Sequence, residues 1–580
     1  MTEELKISSK TIFVVIFVLL LAISSVIILS ITLLSHIPIP YIYPPFDNYL
    51  IIGYSDNPDT IDPVDTWDKP SQNVEQQVIE GLVKYNLSSY PNYQIVGVLA
   101  TDWHWHGTEF KKISFALRQD VLFHDNTTFD ADDIIWNFDR LTWFCNYTGT
   151  LPDNATSWLA FPSSLYWFSD GVTPIIADYY KNNQYNVTFE LSRPFAPFLE
   201  LLTYVAGYII SPESTPRWTY IDLTTGDLVG TGPFQFIGFM YDVEVRFERF
   251  NDYWGDLPWA ELLVFDINED DTTRNMDMLA LRIDYLQAAL PENLDTFNES
   301  AQHTVYRFGE GLCYFFLTFH CGSAGYPGLN VTWRKALQYA INYTYIIDEI
   351  YAGAVVRGPP VVPRLMPGHN SSVQIIDTNI TKARQLIMSM FPVETAGFDP
   401  NYPGNTESNW TTLSPLKEVA IHRHYGSTTN MLINQNINET FTLIGVDAYE
   451  PIILPPMPGQ DPIVYPWDIQ YIGWCADYLD AFNMLDPLFN NASCSNFACV
   501  NDSYLQSLFD QALQELDPTA RQQIYRHIQS YLFEVNTPMH EWKYPHAPLF
   551  TVPYFIVHGS HLQGVSYNPL QILDCWNWYI

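Results

Sequence analysis

Leu117–Leu141, LRQDVLFHDNTTFDADDIIWNFDRL, is the most informative stretch of this chain. Apolar residues recur at alternate positions, Val121 and Phe123, as in a half-buried strand. A polar turn at 124–128 follows them. Thr128 or Asp130 is then predicted to cap a helix. The apolar face of that helix carries Ile134, Ile135, Phe138 and Leu141. The stretch offers no nucleophile and no metal cage, so it predicts a fold rather than a reaction.

Composition indicates a folded protein with an acidic surface. The chain has 580 residues, of which 47% are hydrophobic and 16% are charged, and its formal net charge is −37. Such a chain is long enough for several hydrophobic cores. Phosphate binding needs a basic face, so the charge argues against a nucleic acid or an anionic lipid as a partner.

The N-terminus carries a predicted membrane anchor. No charged residue occurs in 12–34, a run that would span about 34 Å as a helix, which is enough to cross a bilayer. Lys6 and Lys10 precede the run, and no basic residue follows it before Lys69. The positive-inside tendency therefore places 1–11 in the cytoplasm and the rest of the chain outside the cell. A proline-rich spacer is expected at 35–47.

Asn-x-Ser/Thr sequons occur only beyond the predicted anchor, which fits a glycosylated extracellular surface. The predicted attachment sites are Asn86, Asn146, Asn154, Asn186, Asn298, Asn330, Asn342, Asn370, Asn379, Asn409, Asn438, Asn491 and Asn501. Asn126 also lies in a sequon, but its place in the polar turn sets it apart. The alternative explanation is a chain that is simply rich in asparagine.

The 7 cysteines are too few for a disulfide scaffold at this length, and their odd number leaves at least one thiol unpaired within the chain. Cys494 and Cys499 are close enough in sequence to close a small loop. Cys145 is our candidate for the free thiol, which leaves Cys321 and Cys575 as a further pair that could form a bridge.

Strand and helix patterns mix along the whole chain, which predicts the α/β class. Strands are expected at 49–54 and 262–267, and helices at 74–85 and 333–351. No motif of a hydrolase, a P-loop or a dinucleotide site occurs. His104 with His106, and His422 with His424, share strand faces but lack a third ligand, so no metal and no cofactor are predicted.

The opening stretch resembles the signature of the family 5 extracellular solute-binding proteins, the peptide-binding subunits of ABC importers. The resemblance extends to Ile61–Pro63, Glu80–Val83, Gly232–Phe234 and Trp333–Asn342. The matching residues of the opening stretch are Leu117, Arg118, Val121, Phe123, His124, Asp125, Thr127, Phe129, Ala131, Asp133 and Arg140. Asn342 departs from the pattern, because the family usually has an aspartate at that position.

The resemblance implies a type II periplasmic-binding-protein-like fold with three lobes and a ligand cleft between lobes I and III. By this analogy lobe II is residues 93–228 and lobe III is residues 313–548. Lobe I would combine three separated segments, 48–92, 229–312 and 549–580.

Gly473–Tyr478, GWCADY, is the best candidate for a binding site. Asp477 follows a predicted strand, and ligands bind at strand ends in such folds. Gly473 would let a ligand approach the backbone, and Trp474 would offer a flat apolar wall. The structural alternative is an aspartate that caps a turn.

The hexapeptide resembles the amino-terminus site of oligopeptide-binding proteins, which implies that Asp477 pairs with a peptide's α-ammonium group. The same resemblance implies a disulfide between Cys313 and Cys475. A basic residue of one branch is replaced by Tyr471, which we keep as a candidate ligand-binding residue, although capture of the ligand's carboxylate does not carry over. The expected aromatic cleft walls are Tyr314, Phe315, Trp467, Trp474 and Trp542.

The sequence therefore predicts a membrane-anchored extracellular receptor that captures short peptides and delivers them to an ABC permease and its ATPase on other chains. No enzymatic activity is expected. Aromatic faces also stack on sugars, so an oligosaccharide receptor of the same fold remains an alternative. A surface hydrolase that processes glycans or peptides is the second alternative.

Overall fold

The computed structural model describes residues 48–89, 93–145, 163–287, 289–308, 310–322, 328–401, 410, 415–422, 428–449 and 467–580. The predicted cytoplasmic segment, anchor and spacer lie outside these residues, as do Asn146, Asn154, Asn409 and His424. Within the described ranges, no helix combines the length and the apolar character that crossing a bilayer requires.

Seven strands form the first sheet, which we call sheet A. In sheet order they are β12, β19, β11, β1, β10, β9 and β8. Their bounds are β1 Tyr49–Tyr54, β8 Phe234–Met240, β9 Glu244–Arg249, β10 Leu262–Ile267, β11 Tyr285–Gln287, β12 His303–Phe308 and β19 Tyr554–Gly559. The central strand β1 is parallel to both of its neighbours, β10 and β11. Both faces of such a strand are covered, which explains the nearly continuous apolar run YLIIGY.

A six-stranded sheet, which we call sheet B, has the order β14, β18, β13, β17, β15, β16. Its strands are β13 Cys313–Phe319, β14 Val356–Arg357, β15 Lys417–His422, β16 Val446–Tyr449, β17 Ile469–Cys475 and β18 His546–Thr551. Sheet C is a four-stranded sheet with the order β4, β5, β7, β6. Its strands are β4 Ala100–Trp105, β5 Lys112–Leu117, β6 Ile176–Asn183 and β7 Asn186–Leu191, and a separate pair joins β2 Val83–Tyr85 to β3 Ile95–Gly97.

Helices lie between the strands throughout, so the predicted α/β class is confirmed. They are α1 Lys69–Val78, α2 Ala131–Phe144, α3 Ser163–Tyr166, α4 Phe198–Leu201, α5 Asp271–Leu279, α6 Leu294–Glu299, α7 Val331–Ala340, α8 Tyr343–Tyr345, α9 Ile380–Met390, α10 Thr428–Thr442, α11 Phe482–Phe489, α12 Ser503–Gln514 and α13 Pro518–Phe533. Asp130 caps α2 in a capping box with Asp133, which decides between the two predicted caps.

Two helix predictions need correction. The helix expected at 74–85 is α1, which begins after the cap Asp68 with Pro70 in its first turn and ends at Val78, while 83–85 form strand β2. The helix expected at 333–351 is interrupted after Ala340. Asn342 caps a new helical turn there, because its side chain accepts a hydrogen bond from the Tyr345 N–H.

The family motifs meet in the structure as buried contacts. Arg140 of α2 forms a buried ion pair with Asp62, whose carboxylate also accepts a hydrogen bond from the Ile221 N–H at 2.8 Å. Gly230 packs against the end of α1, where a Cβ would lie 2.3 Å from the Val78 carbonyl oxygen. These motif residues hold segments of the chain together rather than facing a ligand.

Sheets A and B are joined by two neighbouring crossings of the chain. One crossing leads from β12 to β13, and the other leads from β18 to β19. The Gly311 N–H donates to the Val552 carbonyl at 2.8 Å, so the two crossings are hydrogen-bonded to each other. The predicted lobe boundaries stay predictions. One of them needs a correction: residues 549–551, which we assigned to lobe I, belong to β18 of sheet B.

Candidate functional site

A cavity of about 420 Å³ lies where the two sheets meet. Tyr54, Asp56, Lys69 and Gln287 line it from the side of sheet A, and Tyr351 lines it from the side of sheet B. Val552 and Pro553 of one crossing also line it. Its size lies within the range of small-molecule sites, and its position between two bodies of the fold is typical of them.

Asp477 lies two residues beyond the end of β17, where the sequence predicts it. Asn483, at the start of α11, forms hydrogen bonds with both the backbone and the side chain of Asp477. The Asp477 N–H donates to Asn483 Oδ1 at 2.8 Å, and Asn483 Nδ2 donates to Asp477 Oδ2 at 3.1 Å. Trp474 Nε1 donates to the Asn483 carbonyl at 3.2 Å. The carboxylate is therefore fixed by the buried side chain of Asn483, and the indole by the backbone carbonyl of the same residue.

The electrostatics of Asp477 depend on a residue of the opposite body. Burial raises the pKa of Asp477, and the ammonium of Lys69 and the Asn483 hydrogen bond oppose that rise. Burial lowers the pKa of Lys69, against the attraction of Asp477 and, more weakly, of Asp68. The structure places no ion pair within 4.0 Å between these two described residues. Asp477 thus retains the capacity to pair with a cation at close range.

Strands β13 and β17 hold the site together through a disulfide bond. Cys313 lies opposite Cys475 in the antiparallel register, and the two sulfur atoms are bonded at 2.02 Å. The structure thus contains the bridge that the resemblance implies. It joins the ends of the two central strands of sheet B, two residues before Asp477.

The other cysteine pairings are wrong in this structure. Cys494 is exposed, Cys499 is half-buried, and both are free thiols. Cys321 and Cys575 are also unpaired, as is Cys145, which is buried as expected of a structural thiol. Closeness in sequence did not bring Cys494 and Cys499 together, because the intervening turn is closed by other bonds, such as that from the Cys499 N–H to the Asn496 carbonyl at 2.8 Å.

Three of the proposed cleft residues are buried in the packed interior. Tyr314 is 0% exposed and stacks on Phe316, Trp467 is 8% exposed beside the His422 ring, and Tyr471 is 7% exposed. The strand register explains the error at Tyr314, which pairs with Trp474, whereas Phe315 pairs with Gly473. Since side chains alternate across a sheet, Phe315 and Gly473 share the opposite face.

Gly473 is exposed, and its lack of a side chain makes room for Phe315. A Cβ at Gly473 would lie 2.7 Å from the Phe315 ring. Phe315 stacks on Phe550 at 4.9 Å, and Phe550 in turn contacts Tyr351, which lines the cavity. An aromatic row therefore runs from β17 towards the cavity. Trp542 is half-buried and packs against the larger core.

Sequence reasoning missed Lys69, Asn483 and Tyr351. Asn483 follows Asp477 by one turn and the start of a helix, which a capping pattern could have indicated. Lys69 and Tyr351 are distant in sequence from Asp477, and nothing in their local pattern distinguishes them from surface residues. Only the packing of the two bodies brings them to the cavity.

The structure also bears on the predicted sugars and metals. Asn370 is 8% exposed, and its amide nitrogen donates to the Arg526 carbonyl and to Ser530 Oγ, so it has no room for a glycan. The other sequons stay predictions.

His104 and His106 stack edge to face at 5.0 Å, and no group of three metal-ligating side chains occurs within the described ranges.

Several known proteins are similar to this chain in sequence or in fold. Residues 94–496 match the model of the family described as bacterial extracellular solute-binding proteins, family 5 Middle. The dipeptide-binding protein of Escherichia coli K12 is 28% identical over 328 residues, which are 52% of this chain and 58% of that protein. The dipeptide-binding protein of Pseudomonas aeruginosa PAO1 is 24% identical over 82% of this chain and 85% of its own length. Heme-binding protein A of Haemophilus influenzae is 24% identical over 78% and 79%.

Solved structures agree on the fold. The periplasmic binding protein DppA of Helicobacter pylori, in complex with the peptide STSA, has a TM-score of 0.67 and 20% identity, covering 92% of this chain and 98% of its own. HbpA2 of Haemophilus parasuis has a TM-score of 0.71 and 21% identity over 92% and 100%. These relatives are described as binding proteins and not as enzymes. The family match covers more than half of the sequence, so the chain belongs to the family 5 extracellular solute-binding proteins.

Proposed function

We propose that this protein is the receptor subunit of an ABC importer and captures short peptides between sheets A and B, with Asp477 as an anchor beyond the residues that line the cavity. The observation that carries the proposal is Asp477, a carboxylate fixed by Asn483 and free of any close cation among the described residues. The family and the names of several relatives support the same class of ligand. Peptide binding by this chain rests on that combination.

Asp477 is the proposed partner of the peptide's α-ammonium group. A charge-assisted hydrogen bond from an ammonium donor would supply the cation that burial makes favourable. Asn483 satisfies one oxygen and the backbone N–H, and it thereby turns the other oxygen towards an incoming donor. The aromatic row of Phe315, Phe550 and Tyr351 would provide apolar contacts that tolerate different side chains.

Binding would be coupled to a hinge motion at the two crossings between the sheets. Gly311 and Val552 are linked by one backbone hydrogen bond, which lets the two crossings bend together. Closure around a ligand would present a new surface to a permease, and an ATPase on another chain would supply the energy. The predicted anchor at 12–34 and spacer at 35–47 would tether the receptor outside the cell.

Isothermal titration with di- to pentapeptides tests the proposal. Asp477→Asn should weaken binding by about 10- to 100-fold, because it removes the charge and keeps the shape. Asp486→Asn is the matched control, since Asp486 is a buried carboxylate of α11 whose two oxygens already accept hydrogen bonds from Ser169 and Asn490. Equal affinities of wild type and Asp477→Asn would refute the assigned role.

The oligosaccharide alternative predicts different titrations. Cello- or xylo-oligosaccharides would then bind, with no dependence on the charge at Asp477. A surface hydrolase would convert peptides or oligosaccharides during long incubation, and mass spectrometry of the recovered ligand detects such turnover.

A further inference from the structure

We propose that a smaller cavity, lined by Lys84 and Trp576, is a second ligand site that binds a small carboxylate with a short apolar tail, such as propionate. The cavity has a volume of about 70 Å³ and is separate from the cavity between the sheets. The site does not depend on the role of Asp477 or on peptide binding.

The two cavities lie at opposite ends of helix α1. Lys69 and Pro70 in its first turn line the cavity between the sheets, whereas Gln76 in its last turn lines the smaller one. A helix advances about 1.5 Å per residue, so Pro70 and Gln76 are about 9 Å apart along its axis. No described residue lines both cavities. They can therefore hold different ligands.

Lys84 supplies a positive charge to the smaller cavity. Among the described residues that line this cavity, it is the one lysine or arginine. Its Nζ lies 5.3 Å from the centre of the Trp576 ring, and no hydrogen bond or ion pair joins it to another described residue. Lys84 is half-buried, and water screens a charge less there than on an open surface. An anion in the cavity would therefore gain a charge-assisted hydrogen bond from this ammonium group.

Two neutral amides line the same cavity. The side chain of Gln76 forms no hydrogen bond with another described residue. The side-chain oxygen of Asn568 accepts from the Leu570 N–H at 3.0 Å, which leaves its amide nitrogen without a partner among the described residues. A carboxylate has about four lone-pair sites on its two oxygens, so it can accept from an ammonium and two amides at once. The available donors thus match a carboxylate.

The carboxyl groups of the cavity wall are already engaged within the protein. Glu80 accepts three side-chain hydrogen bonds at 2.8–2.9 Å, and Asp574 accepts three at 2.6–3.0 Å. Burial raises the pKa of Glu80 and of Asp574, which reduces the negative charge that an anionic ligand would face. The acids are thus occupied while the ammonium and the amides are not, which favours an anion over a cation.

The remaining wall limits the size and the polarity of the ligand. Ile79, Val98 and Ile572 give it an apolar part, which suits a short hydrocarbon tail. A cavity needs about 10–15 Å³ to hold one water, so this one has room for on the order of five waters or for one carboxylate of the size of propionate. The site therefore selects small organic acids.

Ligand-observed NMR titration of the full chain with sodium propionate tests the site. The wild type should bind propionate with a Kd of about 1 mM, and it should bind propionamide, the neutral molecule of the same shape, at least about 10-fold more weakly. Lys84→Met should weaken propionate binding by about 10-fold or more. Lys335→Met is the matched control and should leave the affinity unchanged, because the Lys335 ammonium also lies over an aromatic ring, that of Tyr544, but outside this cavity.

Two further variants keep the test informative if Lys84→Met fails to fold. Lys84→Arg retains the charge and should bind propionate within about 3-fold of the wild type, whereas Gln76→Leu removes a neutral donor and should weaken binding by about 3- to 10-fold. Thermal unfolding of each variant reports whether the folded state is retained. Propionate should raise the Tm of the wild type and not that of Lys84→Met.

Several results would overturn the proposal. Equal propionate affinities of the wild type and a folded Lys84→Met would remove the role of the ammonium, and equal binding of propionate and propionamide would remove the role of the charge. Displacement of propionate by an equimolar amount of chloride would indicate an adventitious ion only. Loss of propionate binding in Lys69→Met would place the anion in the cavity between the sheets, whereas unchanged binding in that variant supports the second site.

Discussion

Asn483 and Asp477 form a reciprocal pair, in which the Asp477 N–H donates to Asn483 Oδ1 at 2.8 Å and Asn483 Nδ2 donates to Asp477 Oδ2 at 3.1 Å. Asn483 is 2% exposed, so it supports the carboxylate from behind without reaching the cavity surface. The orientation of the proposed ammonium site thus depends on a residue that would not touch the ligand.

Asn483→Ala should weaken peptide binding by about 5- to 30-fold, because Asp477 loses one donor and its backbone N–H loses its acceptor. Calorimetric titration measures the effect. Asn496→Ala is the matched control, since Asn496 also bonds through its side chain to the Asn490 and Val500 backbone. The control should lower stability to a similar extent and leave affinity unchanged. Loss of affinity in both variants would instead indicate a general effect of destabilisation.

The Cys313–Cys475 disulfide should contribute substantially to stability. Replacing both cysteines by serine is expected to lower the free energy of unfolding by about 2–5 kcal/mol, because the bridge restrains the unfolded chain over a separation of 162 residues. Urea denaturation measures the change. Cys494→Ser should leave the transition where it is, since Cys494 is an exposed free thiol. Alkylation of the native protein should label Cys494 and spare Cys313 and Cys475.

Replacing only one partner of the buried ion pair between Arg140 and Asp62 should destabilise the folded protein strongly. Arg140→Met is expected to reduce stability by about 3–5 kcal/mol, because it leaves Asp62 buried without its cation. Arg140→Met combined with Asp62→Asn should recover part of that loss. Arg307→Met is the exposed counterpart, because the pair of Arg307 with Asp295 lies in solvent, and it should cost less than about 1 kcal/mol. Similar losses from both single variants would contradict this account.

Three buried carboxyl groups should each contribute stability that increases as the pH falls from about 8 to about 5, whereas burial lowers the pKa of His124 from 6.5 to about 4 and makes that histidine act in the opposite direction. Burial raises the pKa of Glu200 to about 7 from 4.5, and it raises the pKa of Asp266 and of Asp486 to about 6 from 3.8. Between the ordinary and the raised values, the folded protein holds protons that the unfolded chain has released. A lower pH therefore favours the folded state, and the destabilisation is fully present above the raised values.

Urea denaturation across this pH range measures the slope. Asp266→Asn should reduce it, because one titrating group is removed. Asp222→Asn should leave the slope unchanged, because hydrogen bonds from Thr225 and Thr224 lower the pKa of Asp222 to about 2, and it titrates below this range. An equal slope in the wild type and in Asp266→Asn would contradict the assignment of this buried carboxyl group.

Local patterns predicted individual elements well. Asp130 specifies the start of α2, because a capping side chain acts on its immediate neighbours. Predictions failed where distant packing decided the outcome. Gly230 lies against the end of α1, which terminates at Val78 before the predicted helix would have.

The candidate site shows the same division. The position of Asp477 after a strand was evident from the order of residue types, whereas the face that Tyr314 occupies depends on the register of β13 against β17. A shift of one residue reverses every side chain of a strand, so an unaligned sequence does not decide between Tyr314 and Phe315 as a cleft wall.

The sequence by itself determined the family, the α/β class and the place of Asp477, because motifs, caps and alternation are local properties of the chain. The tertiary structure alone decided that Asn483 orients Asp477, that Lys69 lines the cavity, and that Tyr314 and Asn370 are buried. The physical reason is that burial and charge act between residues that only packing brings together, over separations along the chain that no local pattern encodes.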